Sequence, residues 1–403
     1  MKANVYKYFP AVIASFALIS GVHADEKRGD ANHTPSCMDM CYAGPKITCD
    51  DNWELSAAAV YQQVSVQGGE VALKQDAGTR ATAVAYPVNA AGVVQPEDFA
   101  WGFKVGAGYR NLVENWRLAV HYSYLKVISN SGLETGYNFG YAPSMYTNHS
   151  ILSVDSTSAP FVGTSAATTP LPTPLGNWIN TLFQNLEMGN SSVINNLNFT
   201  IERPSLITSH LEMTPYYGVS ATIITRRQVQ VYTNDYVPQY TQTQVTQSFY
   251  SASAGAYFQN YQKFNWWGVG PMLGVHSSWK LAFDLSIYGD AYGALTYGQA
   301  NSRTSTFSKR TTLLNQVTVA YLPIEAVIRN SMYQFSPEAN FNLGVRWERN
   351  FDNDSKRARV QIGYESSYYF YVMKTIVNDM NYRVEDGAGL GAQGLVLEGR
   401  FDF

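Results

Sequence analysis

A hydrolytic site built on a nucleophile needs a serine beside a histidine that a third group orients. Beyond residue 24 the chain offers His33, His121, His149, His210 and His276, and none of them sits in a recognisable hydrolase motif. His121 and His276 fall where a strand alternation would turn them toward a wet interior, so each reads as a polar wall residue. Asp352-Asn353-Asp354 opens like a calcium loop but lacks the glycine at the sixth position and the closing glutamate, so it reads as a turn. Asn148-His149-Ser150 and Asn198-Phe199-Thr200 match glycosylation acceptors by chance. No glycine loop precedes a Lys-Ser/Thr pair, and no zinc spacing occurs. No catalytic centre, metal site or cofactor is expected.

What remains is a set of charges of both signs: Lys104, Arg110, Arg117, Lys280, Asp284, Arg346, Glu348, Arg359, Glu365, Glu398, Arg400 and Asp402, together with His121. Facing one another across a lumen, such groups would set a transverse field that biases which small solutes pass. Paired with one another, they would simply fill the interior.

The elements that must position these residues are strands of period two. Trp53, Leu55, Ala57, Ala59 and Tyr61 share one face. Trp101, Phe103, Val105, Ala107 and Tyr109 alternate with Gly102, Lys104, Gly106, Gly108 and Arg110. Trp116, Leu118, Val120, Tyr122 and Tyr124 alternate with Arg117, Ala119, His121 and Ser123. The same holds for Trp279 to Ile287, for Phe341 to Trp347, and for Val360 to Phe370. Aromatic residues cluster at the segment ends, as interfacial girdles require. A soluble sandwich also alternates, but it turns its apolar face inward and carries more surface charge. Here only 15% of residues are charged, while 14% are aromatic, 29 of them tyrosines and eight tryptophans. No stretch after the N-terminus holds 18 consecutive apolar residues, so a membrane would have to be crossed by a closed barrel.

The N-terminus predicts a secretory leader. Lys2 and Lys7 precede the apolar stretch Phe9 to Ile19, and Val22-His23-Ala24 offers a cleavage site between Ala24 and Asp25. Its removal carries the formal net charge from −3 to −5, which gives no sign of nucleic-acid binding. Cys37, Cys41 and Cys49 lie in a polar lead-in, residues 25–52. In an oxidising compartment they allow one disulfide and one leftover thiol able to cross-link copies of the chain.

Ten strands are predicted: 53–64, 100–110, 115–126, 211–225, 241–258, 265–276, 279–290, 339–349, 357–372 and 393–403. Short connections at 111–114, 276–278 and 350–356 alternate with long ones at 65–99, 127–210 and 299–338, as a barrel with short periplasmic turns and long outer loops demands. Hidden hairpins come in pairs, so the count is even, between ten and sixteen, with twelve or fourteen expected. The insertion 127–210 is rich in Ser, Thr, Asn, Gly and Pro, and Trp178 to Met188 has helical spacing. It either folds into the lumen or stands as an exposed loop.

The chain closes on Leu395, Leu397, Gly399, Phe401 and Phe403 on one face, with Val396, Glu398, Arg400 and Asp402 on the other. A terminal aromatic strand resembles the signal read by outer-membrane insertion machinery. The segment Gly389 to Phe403 is similar to the C-terminus of the Legionella-type major outer membrane proteins. Gly268 to Val275 followed by Trp279 to Gly298, and Phe341 to Arg349, are similar as well. The resemblance is clearest over 265–403. It implies a porin-like antiparallel barrel set in outer-membrane lipid, abundant in the envelope and exposed as a surface antigen or adhesin. The leading expectation is therefore a passive channel for small hydrophilic solutes, with assembly into homo-oligomers open. The alternatives are a filled barrel acting through its outer loops and a hydrolase using His121 and His276.

Overall fold

Hydrocarbon offers a backbone N–H or C=O no partner, so each strand must give all of them to its neighbours. The chain meets that demand by closing on itself. The structure, a computed structural model, describes residues 52–67, 70–76, 91–111, 116–135, 139–143, 183–203, 205–208, 210–234, 256–281, 284–309, 311–314, 317–320, 324–351, 356–379 and 382–403. The expected leader, the Ala24–Asp25 cleavage site, the three cysteines, almost all of the lead-in and the Asp352–Asp354 turn lie outside these residues, as do 178–182 and 241–255.

The strands are β1 (Asn52–Val66), β2 (Glu70–Asp76), β3 (Ala91–Val94), β4 (Phe99–Asn111), β5 (Trp116–Thr135), β6 (Phe139–Pro143), β7 (Asn185–Glu202), β8 (Ser205–Leu206), β9 (Leu211–Asn234), β10 (Ala256–Lys280), β11 (Leu285–Lys309), β12 (Thr311–Leu314), β13 (Val317–Ala320), β14 (Ile324–Phe351), β15 (Lys356–Asp379) and β16 (Tyr382–Asp402). Ten of them form an antiparallel up-and-down barrel in the order β1-β4-β5-β7-β9-β10-β11-β14-β15-β16. It closes where β16 pairs with β1, from Glu54 opposite Asp402 to Val66 opposite Leu390. The terminal Phe403 and Trp53 exchange both backbone hydrogen bonds at 2.9 Å. The fold is all-β with an even strand number, as the alternation predicted.

Strand parity sorts the side chains. On β16, Leu397 is 53% exposed to the outside while its neighbour Val396 is 1% exposed within. One girdle gathers Trp53, Trp279, Phe401 and Phe403 near the short turns. A second gathers Tyr61, Trp101, Trp267, Tyr297, Tyr333 and Phe335 toward the long loops. On β10 the two girdles are twelve residues apart, Trp267 to Trp279. That is about 40 Å along a strand, or roughly 30 Å of height at a tilt near 40°, which matches a hydrocarbon core.

Several expectations need correction. The barrel has ten strands, not twelve or fourteen. The additional length goes into strands of up to 28 residues that outrun the membrane, and into two accessory sheets, β3-β2-β6 and β12-β13, rather than into further wall hairpins. Residues 127–210 are not one insertion: β5 continues to Thr135, and β7 is a wall strand between β5 and β9. From Phe183 onward the expected helical spacing gives way to pairing, since Phe183 bridges to Tyr141 and Leu186 and Met188 belong to β7. His276-Ser277-Ser278 do not turn. They pair with Asp290, Gly289 and Tyr288, and the chain reverses instead between Lys280 and Leu285, where the Leu281 N–H donates to the Leu285 carbonyl. Asp284 occupies that turn at φ 62°, a left-handed conformation that a short polar side chain tolerates. The strand expected at 241–258 is described only from Ala256 onward, as the start of β10.

The sorting by parity can be tested with one charge placed at two heights. Leu397→Arg should destabilise the barrel folded in vesicles by about 2–4 kcal/mol, while Gln299→Arg at the outer rim should cost about 0–1 kcal/mol. Equal costs in urea titrations would contradict the assigned lipid face.

Candidate functional site

The lumen holds the charged residues. Lys104, Arg110, Arg117, His121, Lys280, Arg346, Glu348, Arg359, Glu365, Glu398, Arg400 and Asp402 stand at inward positions of their strands. Asp284 does not: it lies outside the strands, in the exposed turn between β10 and β11, so it lines no lumen.

Near the short turns these groups form a belt. Glu348 of β14 pairs with Arg359 of β15 at 3.1 Å, and Arg357 of β15 with Asp402 of β16 at 2.5 Å. Asp402 also holds Arg400 at 2.8 Å, and Arg400 reaches across the closure to Glu54 of β1. Glu54 accepts from Arg117 Nε of β5 at 2.8 Å, and the same guanidinium pairs with Glu202 of β7. Glu202 lies 3.6 Å from His276 of β10, whose Nδ1 is 3.1 Å from Asp290 of β11. Tyr216 of β9 donates to Asp290 at 2.9 Å and stacks on the His276 ring at 4.5 Å. Glycines open the space these groups need, since a side chain at Gly108 would collide with the Glu54 carboxylate and one at Gly274 with the Tyr216 ring.

Toward mid-height, Glu365 accepts from Lys104, from Gln62 at 3.0 Å and from Asn340 at 2.7 Å. Arg346 lies over the Tyr288 ring at 5.0 Å and donates to Gln361 at 3.0 Å, which in turn donates to Glu398 at 2.8 Å. Together these groups wall a cavity of about 240 Å³ that takes in Ser56, Lys104, Arg117, His121, Asn196, Glu202, His276, Asp290, Glu365 and Arg400.

The cavity ends at an apolar layer. Val60, Gly102, Leu125, Ile194, Ile224, Trp266, Ala300 and Met332 are consecutive register partners from β1 round to β14, so they form one row on the inner wall. Trp266 is 2% exposed, and Phe264, Tyr369, Met373, Leu390 and Ala392 pack into the same cluster. Above it, Gln95 to Asp98 fold into the mouth. Arg226 donates to the Gln95 side chain at 2.5 Å, Asn190 to the Pro96 carbonyl at 2.9 Å, and Ser129 Oγ accepts from the Asp98 N–H at 3.0 Å. Ala72 and Tyr141 of the accessory sheet pack with Phe183, Leu186, Met188, Tyr232 and Phe258 beside this latch.

For 127–210 the alternatives were a segment folded into the lumen and an exposed loop. The latch comes instead from the connection 65–99, whose Gln95 and Pro96 carry no periodic signal. Ser129, Asn190 and Arg226 were missed for the same reason: parity marks them as inward, but only register brings them together. Neither His121 nor His276 takes a hydrogen bond from a described serine hydroxyl, and no group of metal-ligating residues occurs among the described residues.

The family model described as Legionella pneumophila major outer membrane protein precursor matches residues 47–403. A search of curated proteins gave no match. Among solved structures, the chain is similar to the outer membrane protease OmpT from Escherichia coli at 10% identity, over 89% of this chain and 98% of that one, with a TM-score of 0.34. It is similar to a major outer membrane protein from Thermus thermophilus at 10% identity, over 88% and 100%, with a TM-score of 0.27. Likenesses this distant carry no argument about chemistry.

The belt makes Arg117 the test residue. Arg117→Met leaves Glu54 and Glu202 buried without their shared cation and should cost about 3–5 kcal/mol in urea unfolding from vesicles. Adding Glu54→Gln and Glu202→Gln should recover most of that loss. A triple variant no more stable than the single one would mean the belt is not held by these charges.

Proposed function

We propose that this chain, which belongs to the Legionella pneumophila major outer membrane protein family, is a passive outer-membrane channel for small hydrophilic solutes or ions, held shut at mid-height in the conformation described above. The observation that carries the proposal is the polar cavity inside the barrel, walled by both signs of charge. A lumen that only filled the barrel would need no such open volume. The apolar row above the cavity is a constriction of the kind that gates by excluding water, and the Gln95–Asp98 latch closes the mouth over it. Because the belt charges are paired with one another, the pathway should discriminate weakly between cations and anions. In this proposal the barrel has no catalytic role: His276 is held by Asp290 and Glu202 rather than set against a nucleophile.

The remaining parts of the chain fit an exported barrel. Residues 1–24 would be removed between Ala24 and Asp25. Leu395, Leu397, Phe401 and Phe403 would present the outward face that the assembly machinery takes up. Cys37, Cys41 and Cys49 would supply one disulfide and one thiol for cross-links between copies. N-terminal sequencing of protein from outer membranes should begin at Asp25, and retention of residues 1–24 would rule out the leader.

One observation favours a second reading, a filled barrel that acts as a surface structural or adhesion protein: inward apolar side chains from nearly every wall strand meet in the lumen. Planar-bilayer recordings separate the two. The wild-type chain should give small, infrequent steps, and Leu125→Ser combined with Ile194→Ser should wet the constriction and raise open probability severalfold. Silent bilayers from both proteins, each verified as folded, would leave the filled barrel standing.

A further inference from the structure

Four strands carry a cation at the same height on the outside of the barrel. Arg227 of β9 is the register partner of Lys263 of β10, Lys263 of Arg303 of β11, and Arg303 of Arg329 of β14. All four stand at outward positions, since the neighbouring inward residues are Arg226, Gln262 and Thr304 on three of these strands. The row spans three strand spacings, roughly 14 Å. Like charges directly opposite one another destabilise a sheet, and no described carboxylate forms an ion pair with any of the four. A surface cavity of about 330 Å³ opens along the row, lined by Lys263, Arg303 and Arg329 with Asn265, Asn301 and Ser331.

Height identifies what would neutralise the row. Trp267 and Tyr333 of the outer girdle lie four residues after Lys263 and Arg329, on the side of the short turns. The cations therefore stand about 13 Å along the strands beyond the aromatic rim, on the side of the long loops. Tyr297 stacks on Tyr333 and packs on Phe335 to continue the lipid-facing surface directly beneath them. An acyl chain lying on that surface would bring its headgroup to the level of the row. Guanidinium groups bind phosphate through paired N–H donors, and the asparagine and serine side chains supply further donors.

We infer that Arg227, Lys263, Arg303 and Arg329 form a binding site for the phosphorylated headgroup of an outer-leaflet glycolipid. The site needs no change in the barrel, and the bound lipid would seal this side of the wall where the strands outrun the membrane.

The test uses the full chain folded in detergent, titrated with diphosphorylated lipid A, dephosphorylated lipid A and inorganic phosphate. Lys263→Gln/Arg303→Gln/Arg329→Gln should weaken binding of the diphosphorylated lipid at least about tenfold, equivalent to about 1.4 kcal/mol. Lys263→Arg/Arg303→Lys/Arg329→Lys should retain binding. The dephosphorylated lipid should bind the wild-type chain as weakly as the triple glutamine variant binds the phosphorylated one. Unchanged binding in the triple glutamine variant, or equal binding of the two lipids, would overturn the site. Displacement by inorganic phosphate alone would overturn the lipid assignment in favour of a free-anion site. Mobility of unheated samples in gels reports folding, and if the triple variant fails to fold, Arg303→Gln alone decides the same comparisons.

Discussion

Everything in this molecule follows from the requirement that a backbone crossing lipid find all its hydrogen-bond partners in adjacent strands. Closure of β16 on β1 meets that requirement, and it leaves each residue only two places to point. The outer face must then be apolar across the hydrocarbon and aromatic at its margins, which fixes the residue types at half of all wall positions. The inner face is released from that rule, and there the chain concentrates its carboxylates, guanidiniums and amides.

A ten-strand wall encloses little space, and the inner face fills most of it. The buried ions of the belt are tolerated because they are shared: Arg117 serves two carboxylates, Glu54 two guanidiniums and Asp402 two more. Desolvation of an isolated ion at these positions would outweigh any gain. The apolar row at mid-height follows a different logic. It needs no partners, so it can open without leaving a charge stranded, whereas opening the belt would break several pairs together. The row and the belt thus differ in how many paired charges hold them.

Parity was the part of the fold most legible in the residues. Where the outward face is Trp, Leu, Val and Phe, as in β4, β5 and β16, alternation located the strands and assigned the charges to the interior. It failed on β7, whose outward positions include Ser191 and Asn195; Asn195 accepts from the outward Tyr122 hydroxyl at 2.8 Å. It failed again at the turn after β10. His276, Ser277 and Ser278 look like a loop by composition, but the strand continues to Lys280 because its partners on β9 and β11 continue. The pairing of the belt was not legible at all. Glu54 and Arg117 are separated by 63 residues, and Arg400 and Glu54 by 346. Only register around the closed wall brings them within reach.

That last separation has a consequence for how the protein is made. Glu54 belongs to the first wall strand along the chain and Arg400 to the last, where Asp402 holds it. Until β16 pairs with β1, the belt is an open arc with uncompensated charge at the ends that must meet. The attraction between those ends acts only when the right two edges approach. The last strand therefore brings a chemical lock as well as a hydrogen-bonded edge, and a chain cut a few residues short would present a seam that fits in shape but stays mismatched in charge.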